Sequence, residues 1–259
     1  MCLIFISYNK SLHHRYVIAA NRDEFRSRTT APLGYLGTAK NILGGKDLQA
    51  GGMWLGVCKG GKFGAITNFR EGRGPATDLP SRGEIVSQYL RCNESAIHAI
   101  ERLAEDSSKY AGFNVLFGDD NQLVYFSNKQ DKIQILKPGF YGLSNHLLDT
   151  SWPKVTKGKE LLRYHMCDCD NIDAGKITTL LHDTTVPDDT LLPDTGIGLE
   201  WERFLSPVFI DGEEYGTRST AVVEIGFQGD VIFTETSYIH GLGAKEIPSQ
   251  KRMSFDVDI

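Results

Sequence analysis

The sequence predicts an α+β fold, with antiparallel strands in two face-to-face sheets and helices outside. Three observations predict it. Short apolar runs at strand spacing come in groups separated by pairs of helix-spaced segments, whereas a parallel sheet would alternate one strand with one helix. The first two runs, residues 2–7 and 15–20, are apolar on both faces, which places them inside a layered structure. No internal repeat, low-complexity tract or dividing linker interrupts the chain, so residues 1–259 read as one domain.

The elements follow in order. Residues 2–7 and 15–20 pair as strands across the polar stretch 9–14. A loop rich in Gly and Thr is expected over 27–52. Residues 54–58 and 63–68 form a hairpin around Lys59-Gly60-Gly61, and 71–80, with two Gly and two Pro, is a loop. Ser81-Arg82-Gly83-Glu84 ahead of Ile85, Val86, Tyr89 and Leu90 reads as a capping box opening a helix. A second helix spans 95–104, followed by strands at 112–117, 123–127 and 132–136 spaced as a meander. Helices resume at 152–166 and 174–181, residues 184–198 form a polar loop, and strands at 219–225 and 230–235 close the pattern.

Composition excludes several functions. The 259 residues are 41% hydrophobic and 24% charged, ordinary for a globular protein, and long enough to bury a core without disulfide or metal staples. A net charge of −5 argues against a nucleic-acid binder. The longest apolar runs are a few residues, far short of the roughly 20 needed to span a bilayer, and the N-terminus lacks the basic segment of a secretory signal. Five cysteines at positions 2, 58, 92, 167 and 169 are odd in number and irregularly spaced, which favours free thiols in a reducing, cytoplasm-like compartment.

Position sets Cys2 apart. Loss of Met1 gives it a free α-amine, whose ordinary pKa of about 7.7–8.0 suits a base beside a thiol nucleophile. The alternative is a small apolar residue opening a buried strand. The tetrapeptide Asn21-Arg22-Asp23-Glu24 follows the second strand, and hairpin pairing returns it to Cys2. A carboxylate there can hold an α-ammonium and an arginine can lower a thiol pKa, although such a cluster is commonly a solvated loop. Cys167-Asp168-Cys169-Asp170 lacks the second ligand pair of a metal site, and the seven His show no ligand spacing, so no metal is expected.

Cys2, Asn21-Arg22-Asp23-Glu24, Gly51-Gly52-Met53-Trp54-Leu55-Gly56-Val57, Thr67-Asn68-Phe69-Arg70 and Ser81-Arg82-Gly83-Glu84 together resemble the NRDE family, which includes the transport and Golgi organisation 2 homologues. The resemblance runs from Cys2 to about Ile225 and is most specific in the first 90 residues. That family resembles a branch of the N-terminal nucleophile hydrolases near the bile-salt hydrolase and penicillin acylase group. The resemblance implies a four-layer αββα sandwich. It also implies that Cys2 is the nucleophile, Asp23 binds its amine, Asn68 donates to the oxyanion, Asn145 in Gly142-Leu143-Ser144-Asn145 orients the amine, and Arg218 is a late active-site arginine. Asn21, Arg22, Glu24 and Trp54 are binding candidates, with Trp54 also readable as core.

Asn68 and Asn145 are each also readable as strand-end turn residues and Arg218 as a surface charge. The hydrolases carry an arginine three residues before the aspartate, where this chain has Ala20. Because neighbouring strand residues face opposite ways, Arg22 is expected to approach the thiol differently.

Two functions follow from this resemblance. One is hydrolysis of a non-peptide C–N amide bond through Cys2, with no cofactor required. The other is a non-catalytic carrier of lipid, acyl-CoA or haem, cytoplasmic or organelle-associated, in line with what the family has been linked to.

Overall fold

A computed structural model describes residues 2–72, 79–130, 132–167, 171–238 and 248–255. The first sheet is built on β1 (Cys2–Tyr8) and β2 (His14–Phe25). The second uses β3 (Thr30–Leu36), β4 (Ile42–Asp47), β5 (Leu55–Cys58), β6 (Phe63–Asn68), β7 (Phe113–Gly118), β8 (Leu123–Ser127) and β9 (Gln134–Leu136) in chain order, an antiparallel meander. After it, β10 (Gly139–Leu143) returns to β1, while β11 (Tyr215–Gly226), β12 (Val231–Ser237) and β13 (Ser249–Phe255) extend the first sheet to the order β10-β1-β2-β11-β12-β13.

The sheets stack through one apolar layer. Alternate residues Cys2, Ile4, Ile6 of β1 and Ile18, Ala20 of β2 face Leu43, Leu55, Val57 and Phe63 of the other sheet. The intervening residues Leu3, Phe5, Val17 and Ala19 face outward onto α3 (Pro153–Cys167) and α4 (Ala174–Leu180). On the far side α1 (Gly83–Arg91) and α2 (Ala96–Asp106) cover the second sheet through Ile85, Val86, Tyr89, Leu90 and Ile100. This is the expected αββα order. Each fully buried aliphatic side chain of these layers contributes about 1.5–3 kcal/mol. Glu235 of β12, also buried, joins the sheets by accepting a hydrogen bond of 2.7 Å from the Leu33 backbone N–H of β3.

Several boundaries depart from the sequence reading. The second strand does not end at Ala20 but runs through the tetrapeptide to Phe25, because β11 pairs with it along its whole length and buries Asn21, Arg22 and Asp23. The expected loop 27–52 holds β3 and β4, whose Gly45 leaves the space that the Trp54 ring fills; a Cβ there would lie 2.2 Å from the indole. Ser81 does not cap α1 with its side chain, since Arg82 occupies the cap position, whereas Ser95 caps α2 by accepting from the His98 backbone N–H. A short helix, α5 (Leu199–Phe204), follows the 184–198 loop, and the exposed polar edge strand β13 carries no alternation to announce it. Residues 73–78 of the expected loop 71–80 lie outside the described residues. Among the described residues no helix is long and apolar enough to cross a membrane.

A close backbone approach ties the segment before β5 to the start of α1. Met53 N donates to Gly83 O at 3.1 Å, and a Cβ on Gly52 would lie 2.4 Å from the Gly83 backbone. Neither strand nor helix can yield without opening the layer beneath. Gly52→Ala is therefore expected to cost about 1–3 kcal/mol of stability through overpacking, read as a lower denaturant midpoint with an unchanged slope.

Candidate active site

A cavity of about 390 Å³ opens at the end of the sandwich where β1 begins. Cys2, Arg22, Asp23, Glu24, Trp54 and Asn68 are among its lining residues. Strand alternation explains the tetrapeptide. Asn21 points to the helical layer, where its Nδ2 donates to Leu181 O (2.9 Å) and Val208 O (2.8 Å) and its Oδ1 accepts from Thr220 (2.6 Å). It is a fastener between sheet and helices rather than a wall of the cavity.

Arg22 pairs directly with Cys2 in the β1–β2 register, so the two share the inter-sheet face. This corrects the expectation drawn from its position. Ala20 and Arg22 are two residues apart and face the same way; the residue facing away is Asp23. The Arg22 guanidinium lies 4.6 Å from the Trp54 ring centroid, a cation–π contact that makes Trp54 both core and cavity wall. Burial pushes the Cys2 thiol up to about 11, and the charge of Arg22 acts in the opposite direction.

Asp23, 1% exposed, accepts from Thr217 Oγ1 at 2.7 Å. Burial raises its carboxyl above the ordinary range, opposed first by Lys154. Lys154 on α3 is 3% exposed, donates to Leu205 O at 2.9 Å, and is brought down to about 8 by burial. Beside them Arg70 Nη1 meets Glu202 Oε2 at 2.6 Å, with the guanidinium 4.6 Å from the Trp152 ring centroid. Sequence reasoning missed Lys154, Thr217 and Glu202. A lysine one residue into a helix carries no signal, though Glu202 among the exposed residues of α5 was a polar residue at a core-facing position.

Asn68 and Asn145 meet across the sheets. Asn145 Nδ2 donates to Asn68 O (3.0 Å) and Asn68 Oδ1 (3.2 Å), while Asn145 O accepts from Arg70 N (2.7 Å). With its Oδ1 used as acceptor, Asn68 keeps its Nδ2 donors available at the cavity. The same seam is laced by Thr67 Oγ1 to Ser144 O (2.7 Å) and by Asn114 Nδ2 to Thr67 Oγ1 (3.0 Å) and His146 O (3.1 Å). Asn145 thus reaches Asn68 rather than the cavity wall.

Arg218 is not brought to the cavity. It sits at the β2–β11 register shift between Thr217 and Ser219, and its Nη1 donates to the carbonyls of Phe25, Arg26 and Arg28, fastening the chain beyond β2. Glu24 lines the cavity and accepts from Phe25 N at 2.9 Å. Of the Cys167–Asp170 cluster, Cys167 is buried and donates to Ser7 Oγ at 3.4 Å; the other three, like Met1, lie outside the described residues.

An αββα sandwich with a cysteine opening its first central strand is the architecture of the N-terminal nucleophile hydrolases. Two solved structures share the fold. A Caenorhabditis elegans ortholog of N-acylethanolamine-hydrolyzing acid amidase superposes with a TM-score of 0.53 at 12% identity, over 86% of this chain and 92% of that one. A variant of the conjugated bile acid hydrolase from Clostridium perfringens gives a TM-score of 0.50 at 9% identity, over 100% and 97%. The sequence profile of Transport and Golgi organisation 2 matches residues 1–240, and the chain belongs to that family. It is 31% identical to the Mus musculus homolog, over 92% of this chain and 94% of that protein. It is 30% identical to the Homo sapiens homolog (92% and 93%) and 29% identical to the Drosophila melanogaster protein (91% of each).

Arg70→Ala strands the buried Glu202 carboxylate and is expected to cost about 3–5 kcal/mol; the double change Arg70→Met, Glu202→Leu recovers most of it in chemical denaturation. With its thiol near 11, Cys2 is neutral at pH 8, so its alkylation rate, followed peptide by peptide with mass spectrometry, keeps rising up to about pH 11. Arg22→Gln removes a charge that favours the thiolate, so at pH 9 it slows labelling.

Proposed function

We propose that this protein hydrolyses a non-peptide C–N amide bond through Cys2. One observation carries the reading: Cys2 and Asn68 border the same cavity while Asn145 occupies the acceptor side of Asn68, leaving its amide N–H groups for an oxyanion. The two structural neighbours are named for hydrolysis of N-acylethanolamines and of conjugated bile acids, which are small molecules, and this supports a small-molecule amide as substrate.

The chemistry runs in two halves. Once Met1 has been removed, the Cys2 α-amine takes the thiol proton and the sulfur attacks the amide carbonyl carbon. A C–S bond forms, and the carbonyl oxygen becomes an oxyanion that Asn68 Nδ2 stabilises. The C–N bond then breaks as the ammonium returns its proton to the leaving amine. Water, deprotonated by the same amine, attacks the thioester and releases the acid with the thiol restored. Asp23 holds the α-ammonium, and Lys154 and Thr217 oppose the burial that raises its carboxyl. Asn145 acts through Asn68.

The scheme needs a free Cys2 α-amine, so intact mass of the purified protein is expected to show loss of Met1. Against a panel of N-acyl amides, Cys2→Ala abolishes turnover, and Asn68→Ala lowers kcat by about 10²–10³ with little change in KM. Retention of Met1 together with turnover that survives Cys2→Ala overturns the reading. Absence of turnover with haem or acyl-CoA binding indifferent to Cys2→Ala supports carriage of those ligands instead.

A further inference from the structure

Most charged groups at the cavity are committed to partners within the chain. Asp47 uses Oδ2 for Arg28 Nε (2.7 Å) and Oδ1 for the backbone N–H groups of Gln49 (2.9 Å) and Ala50 (3.0 Å). Glu24 Oε1 accepts from Phe25 N, and Asp23 is turned toward Thr217 and Lys154.

Two guanidiniums differ. The Arg22 side chain is 5% exposed, and its Nη1 is buried with no hydrogen-bond partner among the described residues. Its nearest carboxylate oxygen, Glu24 Oε2, lies 4.0 Å from Nη2, beyond hydrogen-bond reach. Trp54 covers a face of the guanidinium, which leaves its in-plane donors for whatever enters. Arg82, at the start of α1 across the cavity, spends Nη1 on Gly112 O (2.9 Å) and among the described residues forms no ion pair. Burial and the charge of Arg28 both act against its ionised form. Both arginines line the same cavity as Cys2. Leaving the buried Arg22 Nη1 without an acceptor is costly, and an oxyanion in the cavity relieves it through charge-assisted hydrogen bonds, to which the half-buried Arg82 on the same cavity adds a second cation.

We infer that the cavity binds a ligand bearing an oxyanion, carboxylate or phosphate, held by Arg22 and Arg82, with an apolar portion lying against Trp54, Met53 and Leu79. The inference rests on the hydrolase reading only in taking the ligand's carbonyl to lie at Cys2. It favours N-acyl compounds with an acidic head over neutral ones of equal length.

Calorimetric titration of the Cys2→Ala protein separates binding from turnover. Three probes share a twelve-carbon chain: N-dodecanoylglycine, dodecyl phosphate and the neutral N-dodecanoylethanolamine. At least one acidic probe is expected to bind about tenfold more tightly than the neutral one, and the tighter of the two tells whether the oxyanion is a carboxylate or a phosphate. Arg82→Gln and Arg22→Gln each reduce that preference to below about threefold. Arg82 lies nearer the rim, so its variant answers the question even if Arg22→Gln fails to fold. Equal affinity for all three probes, or a preference that Arg82→Gln leaves unchanged, overturns the inference. If the protein with intact Cys2 turns over none of the probes while the preference stands, the hydrolase reading falls and the anion site remains.

Discussion

The register of β1 against β2 is the constraint on which both the core and the site depend. Because side chains alternate across a strand, a slip of one residue would turn Ile4, Ile6 and Ile18 toward the helices and Cys2 away from the cavity. The isoleucine layer that excludes water between the sheets therefore fixes where the thiol lies. It also fixes Arg22 opposite Cys2, and Asn21 and Asp23 on the other face. Packing energy and site geometry are two readings of one alignment.

That alignment separates charge into two layers. Behind the first sheet, Asp23, Lys154, Arg70 and Glu202 are buried with compensating signs, and each carboxylate has a hydroxyl or a cation beside it. In front, Arg22 stands over Trp54 with incomplete compensation. Buried ion pairs add little net stability over apolar residues of similar volume, so the rear layer is better understood as an electrostatic setting for Asp23 than as a source of fold stability. The front layer keeps its imbalance where a ligand can enter.

Much of this was legible in the chain. The order of strand groups and helix pairs pointed to two stacked sheets, and the hairpin of the first two runs brought the tetrapeptide to Cys2. Polarity misled at two places. Asn21, Arg22 and Asp23 ended the strand on paper because their partners, Leu181, Val208, Trp54 and Thr217, come from distant parts of the chain. The glycines of residues 27–52 looked like loop because the Trp54 ring supplies the missing volume over Gly45 from nine residues away. Asn68 and Asn145 were recognisable only through resemblance, since the hydrogen bonds joining them close over 77 residues of sequence. Lys154 had no local signature, and Arg218 resembled an active-site residue but fastens backbone.

Cys2, Asp23 and Asn68 stand on strands or at their ends, whereas other walls of the cavity come from the segment before β5 and the approach to α1. Cys2, Asp23 and Asn68 cannot shift without disturbing the sheet pairing; Leu79 and Arg82, which lie outside the strands, are not bound by it. The part of the cavity fixed by sheet pairing and the part built by connecting segments are therefore physically separate. The same sheet pairing can hold differently shaped cavities, because the connecting segments that wall them lie outside the strand register.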